Sequence, residues 1–500
     1  MPEVTVIGGG VGGMVCALLL AREGHRVRLY ERLPRLGGKL AEHTRDGFTF
    51  SLGPSLLTLP GLFSDLGLEL DLVELDELCR YRFADGSTLA AYRDPARMAA
   101  EVDRLAPGEG RNWLAFHDWA RGCFEASRRT FFAGPLIHPL AGRGRQVGQV
   151  GLPDLLAVAP GRTLHGLARR FFTDPRLWQY VGRYATYAGS SPYLAPAALG
   201  CIPAIEHGEG GWYVSGGLPR IADALALMLE KAGVEIVLGV EVVRVLADGE
   251  RVRGVRLASG ERERADIVVA NTDAAALYGR LLPDRRRLRR IAELGTSSSV
   301  FLLLAGVDGR TEGLAHHSIV FSADYAREFS DIFQRRRPPE DPTVYLGCSA
   351  VDDPSQAPRG AENQVMLVNV PARDPDRWPM SPEAYRDLVL ERLARRGHDL
   401  SGRLRFVDLF TPADLRDRYG AWGGSIYGAA CSGRFAPLRR PGNRGPRRGL
   451  YLVGGSAHPG GGLPLVTMGA RIVASLVEQD FPTGSSHLTT TGGRGPGTAR

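Results

Sequence analysis

The chain has 500 residues, 44% of them hydrophobic, and a formal net charge of +7. That is enough for two or three domains around a large core, and it excludes the compositions of disordered and fibrous chains. Six scattered cysteines without a CxxC pair exclude a disulfide framework and a cysteine-ligated zinc site. Almost all of the positive charge is arginine, with Lys39 and Lys231 the only lysines. The basic runs Asp284 to Glu293 and Phe333 to Asp341 carry no interleaved aromatics, so nucleic acid is not an expected partner. They read as solvated faces that are also suited to anionic lipid.

The first predicted element is the β-branched run Val4 to Gly8, suited to a buried parallel strand. Gly8-x-Gly10-x-x-Gly13 follows, with Gly12 inside it. Gly8 permits the tight turn, Gly10 leaves room for a diphosphate, and Gly13 lets the next helix approach the strand. That helix is predicted over about 12–23, with its free N–H groups and positive dipole end facing the phosphates. Arg26 to Glu31 is the second strand. An acid at its end, about 20 residues on, is placed to accept from ribose hydroxyls, which argues for a dinucleotide without a 2′-phosphate. Residues 4–21 contain five glycines and lack a basic flank, so they read as this strand and helix and not as a secretion signal.

Further along, Gly216 to Leu246 reads as helix, strand, turn and strand, with Ile221, Leu225, Met228 and Leu229 on one helix face. Arg251 to Asn271 reads as a β-meander followed by a buried strand at Ile267 to Ala270. Gly449 to Gln479 reads as strand, glycine-rich turn and a helix starting near Pro464. No apolar run reaches the ~18 residues of a membrane span. The last twenty residues are Gly/Ser/Thr-rich and read as a disordered tail, 481–500.

Gly37-Gly38-Lys39 after the ribose acid resembles the extended fingerprint of FAD oxidoreductases of the amine oxidase and carotenoid desaturase superfamily. Six blocks between residues 53 and 466 extend the likeness to bacterial carotenoid desaturases of the phytoene desaturase type. They are Gly53 to Pro60, Asp174 to Leu199, Gly210 to Leu225, His316 to Phe333, Phe410 to Gly428 and Val453 to Val466. The resemblance implies an α/β fold: a Rossmann-like FAD-binding domain from discontinuous segments (1–80, 205–280, 440–480), a mixed α+β substrate domain (81–115, 281–439) and a helical segment (116–204). In that segment Arg128 to Leu140 mixes apolar and basic residues suited to a bilayer interface.

It further implies FAD held by Gly8, Gly10, Gly12, Gly13, Glu31, Arg32, Gly38, Lys39, Gly53, Pro54 and Ser55. From later segments it adds Val242, Gly455, Ser456, Gly462, Leu463 and Val466. Lys39 is expected at the diphosphate. His458 is the one tempting catalytic histidine, weighed against a turn residue bonding backbone. Trp212 to Pro219 is weighed as a wall of the flavin site, and Tyr184, Tyr187 and Tyr193 as walls of a tunnel. No metal site is expected; His316-His317 lack a third ligand. Two departures stand out: Ser51 where many relatives carry Asp, and Trp178 where many carry Arg, a residue proposed to assist at the substrate.

The implied activity is desaturation of a linear polyene by hydride transfer to flavin N5. The enzyme would be cytoplasmic and peripheral on membranes, with dioxygen or a quinone as electron acceptor. A flavin-dependent isomerase, an amine-oxidase-like enzyme and a non-catalytic isoprenoid carrier remain the alternatives.

Overall fold

A computed structural model describes residues 1–135, 152–433 and 436–483. Most of Arg128 to Leu140 is inside this range, but its last five residues, like most of the 481–500 tail, lie outside it. Five parallel strands form the first sheet, in the order Leu450–Leu452, Ile267–Ala270, Glu3–Ile7, Arg26–Glu31, Glu235–Leu238. Val6 sits opposite both Val269 and Leu29, which fixes the register at the sheet's centre. Side chains alternate across the sheet with period two. Val4, Val6, Leu29 and Val269 face a helical layer, whereas Ile7, Tyr30 and Val268 face a three-stranded antiparallel meander, residues 242–264.

The helical layer holds Val11–Arg22, Arg220–Lys231 and Leu463–Asp480. The first of these is apolar on nearly every side, as expected of a helix wedged between a sheet and two other helices. The second is amphipathic: Ile221, Leu225 and Leu229 are fully buried, and Met228 packs at the margin.

A second sheet has seven strands, in the order Leu404–Phe410, Ser299–Asp308, Ala361–Val370, Val344–Gly347, His317–Val320, Glu77–Arg82, Thr88–Tyr92. All its pairs are antiparallel except His317–Val320 with Glu77–Arg82. Helix Pro382–Arg395 covers one face through Tyr385, Val389 and Leu393. Helices Pro95–Leu105, Gly110–Arg129, Leu164–Phe171 and Pro175–Gly182 pack beside the other end of the sheet.

The segment limits expected from sequence cut through elements at four places. Residue 80 lies inside strand Glu77–Arg82, residue 115 inside helix Gly110–Arg129, residue 204 inside helix Ile202–Glu209 and residue 280 inside the helical turn Leu277–Leu281. The helical stretch begins at Pro95, where Asp94 caps the helix by accepting from the Arg97 N–H. No helix among the described residues is long and apolar enough to cross a membrane.

Candidate active site

One cavity of about 530 Å³ connects the carboxyl ends of the parallel strands with the second sheet. On the first side it is framed by two helix N-termini. Gly10 precedes helix Val11–Arg22 and Gly462 precedes helix Leu463–Asp480. Neither helix has a side-chain cap or an acid in its first turn. Their free N–H groups and positive dipole ends are therefore left for an anionic ligand.

The glycines keep this region open. A Cβ on Gly10 would stand 3.0 Å from Asn271 Nδ2 and 3.9 Å from the Gly38 Cα. One on Gly13 would be 2.2 Å from the Gly8 carbonyl, so Gly13 serves helix–strand packing and does not line the cavity. Asn271, given no site role in the sequence reading, ties the loop down: its Nδ2 donates to the carbonyls of Gly8 (3.1 Å) and Gly10 (3.3 Å).

Glu31 is buried at the strand end. Its Oε2 accepts from the Gly9 N–H (2.6 Å) and its Oε1 from the Leu33 N–H (2.8 Å). A carboxylate has about four lone-pair directions, so two backbone bonds orient it and leave capacity for ribose hydroxyls. The Thr272 Oγ1, buried at the next strand end, has no partner among the described residues and lines the same cavity. Two uncapped helix N-termini, a glycine floor, an oriented acid and an orphaned hydroxyl together suit a dinucleotide diphosphate and its sugar. The residues present fit FAD.

The cavity also takes in Gly8, Gly12, Arg32, Gly38, Gly53, Pro54, Ser55, Val242, Gly455, Ser456, Gly462, Leu463 and Val466. The expectation for Lys39 changes in detail. It lines the cavity, but its ammonium donates to the Ile426 carbonyl (2.5 Å) and faces Asp273. Burial, partly offset by Asp273, lowers its pKa to about 8. One of the three ammonium donors is thus taken by a protein carbonyl.

His458 is not a lining residue. Its ring packs edge-on against Phe131 (4.6 Å between centroids), and Nε2–H donates to the Gly134 carbonyl (3.1 Å). Burial pushes it down to about 4, so it is neutral at pH 7. Of its two expected roles, this geometry supports the turn residue bonding backbone. A buried guanidinium nearby, Arg440, holds the glycine-rich turn by donating to the carbonyls of Gly455 (2.6 Å), Tyr427 and Ala429.

On the second side the wall is apolar, with Val300, Ile319, Phe329 and Leu367, but three buried polar groups, Arg183, His317 and Glu328, are set into it. Arg183 pairs with Glu206 (3.2 Å) beneath the rings of Tyr81, Tyr184 and Tyr187. His317 Nδ1 meets the Tyr345 hydroxyl (2.6 Å), which also meets Ser55 Oγ (2.6 Å). Glu328 accepts from Ser322 Oγ, Thr343 Oγ1 and the Thr343 N–H, and burial raises it to about 7.

Tyr187 lines the cavity; Tyr184 and Tyr193 do not. Trp212 to Pro219 is likewise outside it, because Trp212–Val214 pairs with Leu72–Glu74. Trp178, half-buried on helix Pro175–Gly182, donates to the Phe172 carbonyl (2.8 Å) and also does not line the cavity. His316 bonds Asp352 and His317 bonds Tyr345.

The model of the flavin containing amine oxidoreductase family matches residues 11–477. A 4,4'-diapolycopene oxygenase from Methylomonas sp is 36% identical over 96% of this chain and 98% of its own length. A zeta-carotene-forming phytoene desaturase from Myxococcus xanthus is 34% identical, covering 94% of this chain and 93% of its own. Among solved structures, an oxidoreductase from Methanosarcina mazei superposes with a TM-score of 0.65 at 18% identity, over 95% of this chain and 100% of that one.

Proposed function

The chain belongs to the flavin containing amine oxidoreductase family, and from that premise we propose that it is an FAD-dependent carotenoid desaturase that removes hydrogen from a linear polyene. The observation that carries this reading is the single cavity that runs from the glycine cradle into an apolar chamber, in a chain so similar along its length to enzymes of carotenoid metabolism.

When bound, FAD supplies a two-electron acceptor at its N5 atom. The chain contributes the rest. Gly10, Asn271 and the first helix position the diphosphate end, with Glu31 oriented toward a ribose. The uncapped N-terminus of Leu463–Asp480 would present its positive dipole end to the bound cofactor. The apolar wall orients the chain of the polyene and keeps water away from it. No lining carboxylate pair or Ser-His-Asp arrangement stands among the described residues. That suits a reaction whose developing charge is delocalised along the polyene itself. Dioxygen or a quinone takes the electrons onward.

The test is anaerobic mixing of the FAD-loaded enzyme with a linear polyene. The flavin band should bleach, the product should absorb at longer wavelength, and its mass should fall by two hydrogens. A second reading has one specific support, the likeness to a carotenoid oxygenase. It predicts a product heavier by oxygen, formed only in air. An unchanged mass with altered double-bond geometry would identify an isomerase. Bleaching by an amine and not by a polyene would overturn the proposal.

A substrate of this kind dissolves in membranes, so we expect peripheral contact. Helix Arg285–Ala292 presents exposed arginines that suit anionic lipid. The protein should sediment with anionic vesicles and be partly released by salt, since the Debye length shrinks to about 3 Å at 1 M. Equal sedimentation with neutral vesicles would remove the arginines from the explanation, and none with either would remove the membrane.

A further inference from the structure

We propose that Arg440, which does not itself line the cavity, raises the reduction potential of the bound cofactor by keeping an unpaired positive charge behind the cavity wall. This rests on the FAD reading above and adds a positioning residue to it.

Arg440 is 8% exposed. A buried guanidinium ordinarily sits against a carboxylate, because an unpaired charge is costly to take out of water. Arg440 makes no ion pair among the described residues. Its acceptors are three backbone carbonyls, Gly455 at 2.6 Å, Tyr427 at 3.3 Å and Ala429 at 3.5 Å. Carbonyls solvate the charge without cancelling it. Burial lowers its pKa, yet a guanidinium stays protonated at pH 7.

The place of this charge gives it a role. Tyr427, Gly428 and Gly455 line the cavity, so a single peptide unit separates the guanidinium from a ligand resting on Gly455. A second cation holds the same segment, since Lys39 donates to the Ile426 carbonyl. One acid, Asp273, feels both cations. It stands beside the segment: a Cβ on Gly428 would lie 3.2 Å from its Oδ2. Two cations against one carboxylate leave this wall net positive. Burial raises the Asp273 pKa, which weakens the one negative charge further. The uncapped N-terminus of Leu463–Asp480 has the same sign.

Accepting a hydride brings two electrons and one proton, so the cofactor becomes one charge more negative. A fixed, desolvated positive charge nearby favours that state without having to reorganise. At an effective dielectric of about 20, one charge about 10 Å away shifts such an equilibrium roughly tenfold.

The experiment reduces FAD-loaded protein anaerobically, at equilibrium with a reference dye, and reads the midpoint potential of the flavin from the two spectra. Arg440→Gln offers an amide donor and no charge. Its reduction equilibrium should fall about tenfold, ~30 mV for a two-electron couple. Arg440→Lys loses the planar fork and keeps the charge, and its potential should stay near the native one. The native potential should itself lie above that of free FAD.

A role confined to holding the turn would weaken FAD retention in both variants without separating their potentials. A native potential in Arg440→Gln overturns the proposal, and so does an Arg440→Lys value as low as that of Arg440→Gln. If neither variant keeps its flavin, the native value decides, and one at or below that of free FAD overturns the proposal. A native protein that holds no flavin overturns the FAD reading, and this inference with it.

Discussion

Gly10→Val gives a folded chain that no longer retains FAD. Gly10 has φ −71° and ψ 165°, extended backbone open to any residue, so valine introduces no backbone strain there. What it introduces is volume. The first carbon of its side chain would already stand 3.0 Å from Asn271 Nδ2, and the two methyl groups beyond it would occupy the space between the first helix and Gly38. Overpacking of this kind costs about 1–3 kcal/mol, roughly 5- to 150-fold in Kd, and here it falls on the diphosphate. The purified variant should lack the flavin absorbance of the native protein and keep its circular dichroism. Gly13→Val is the contrast. Its Cβ would lie 2.2 Å from the Gly8 carbonyl, so it should unfold the chain as well as empty it. Stoichiometric FAD in a folded Gly10→Val protein would refute the cradle.

Stability should fall steeply as the pH drops from 7 to 4. His207, His398 and His458 are buried, and burial lowers each imidazole to about 4. In the unfolded chain a histidine titrates near pH ~6.5. Between those values the unfolded state binds more protons than the folded one, so every step down in pH favours unfolding. Each ring contributes on the order of 3 kcal/mol over the window, at ~1.4 kcal/mol per pH unit.

The packing explains why the rings resist charge. His207 Nδ1–H donates to the Tyr92 carbonyl, and its Nε2 accepts from Tyr180; protonation would turn that acceptor into a second donor. Glu328 opposes the trend. Raised to about 7, it gives back stability as the pH falls from 7 toward 4.5, and Asp273, also raised by burial, acts in the same sense; the lowered histidines, His317 among them, outnumber both. Urea midpoints at pH 7, 5.5 and 4.5 measure the balance. His398→Gln, remote from the cavity, should flatten the slope by roughly one group's share. Midpoints independent of pH, or an unaltered slope in that variant, would contradict this account.

Local spacing made the dinucleotide half of the site legible. Gly8, Gly10, Gly13 and Glu31 lie within one strand–helix–strand unit, where a turn, a helix start and a strand end follow from neighbours in sequence. The strands at 267–270 and 450–452 were equally readable, because a β-branched or aliphatic run buried on both faces has its own signature. Asn271 was one residue beyond such a strand, and its place at the sheet's carboxyl end was the available signal. Arg183 lay in one block of the resemblance, and His317 and Glu328 in another, with no signal that the two blocks meet. They do so because strand His317–Val320 pairs with Glu77–Arg82, more than two hundred residues away, and a layer of helices folds over that pair. His458 was tempting for the opposite reason. Its glycine-rich surroundings belong to the site, while its own ring turns into the packing against Phe131.

The strand order of the parallel sheet also sets a timetable for the nascent chain. Its centre is made early, from residues 3–7 and 26–31, yet the flanking strand at 267–270 and the edge at 450–452 arrive far later. At about 5–20 residues per second, synthesis of the intervening stretch takes tens of seconds. Throughout that time the first strand has Arg26–Glu31 on one side and an open edge on the other. Helix Leu463–Asp480, which supplies the second N-terminus of the cofactor site, emerges later still. The cofactor site is therefore complete only once that helix has been made, and a chain truncated before residue 450 exposes a β-branched edge ready to pair with another copy of itself.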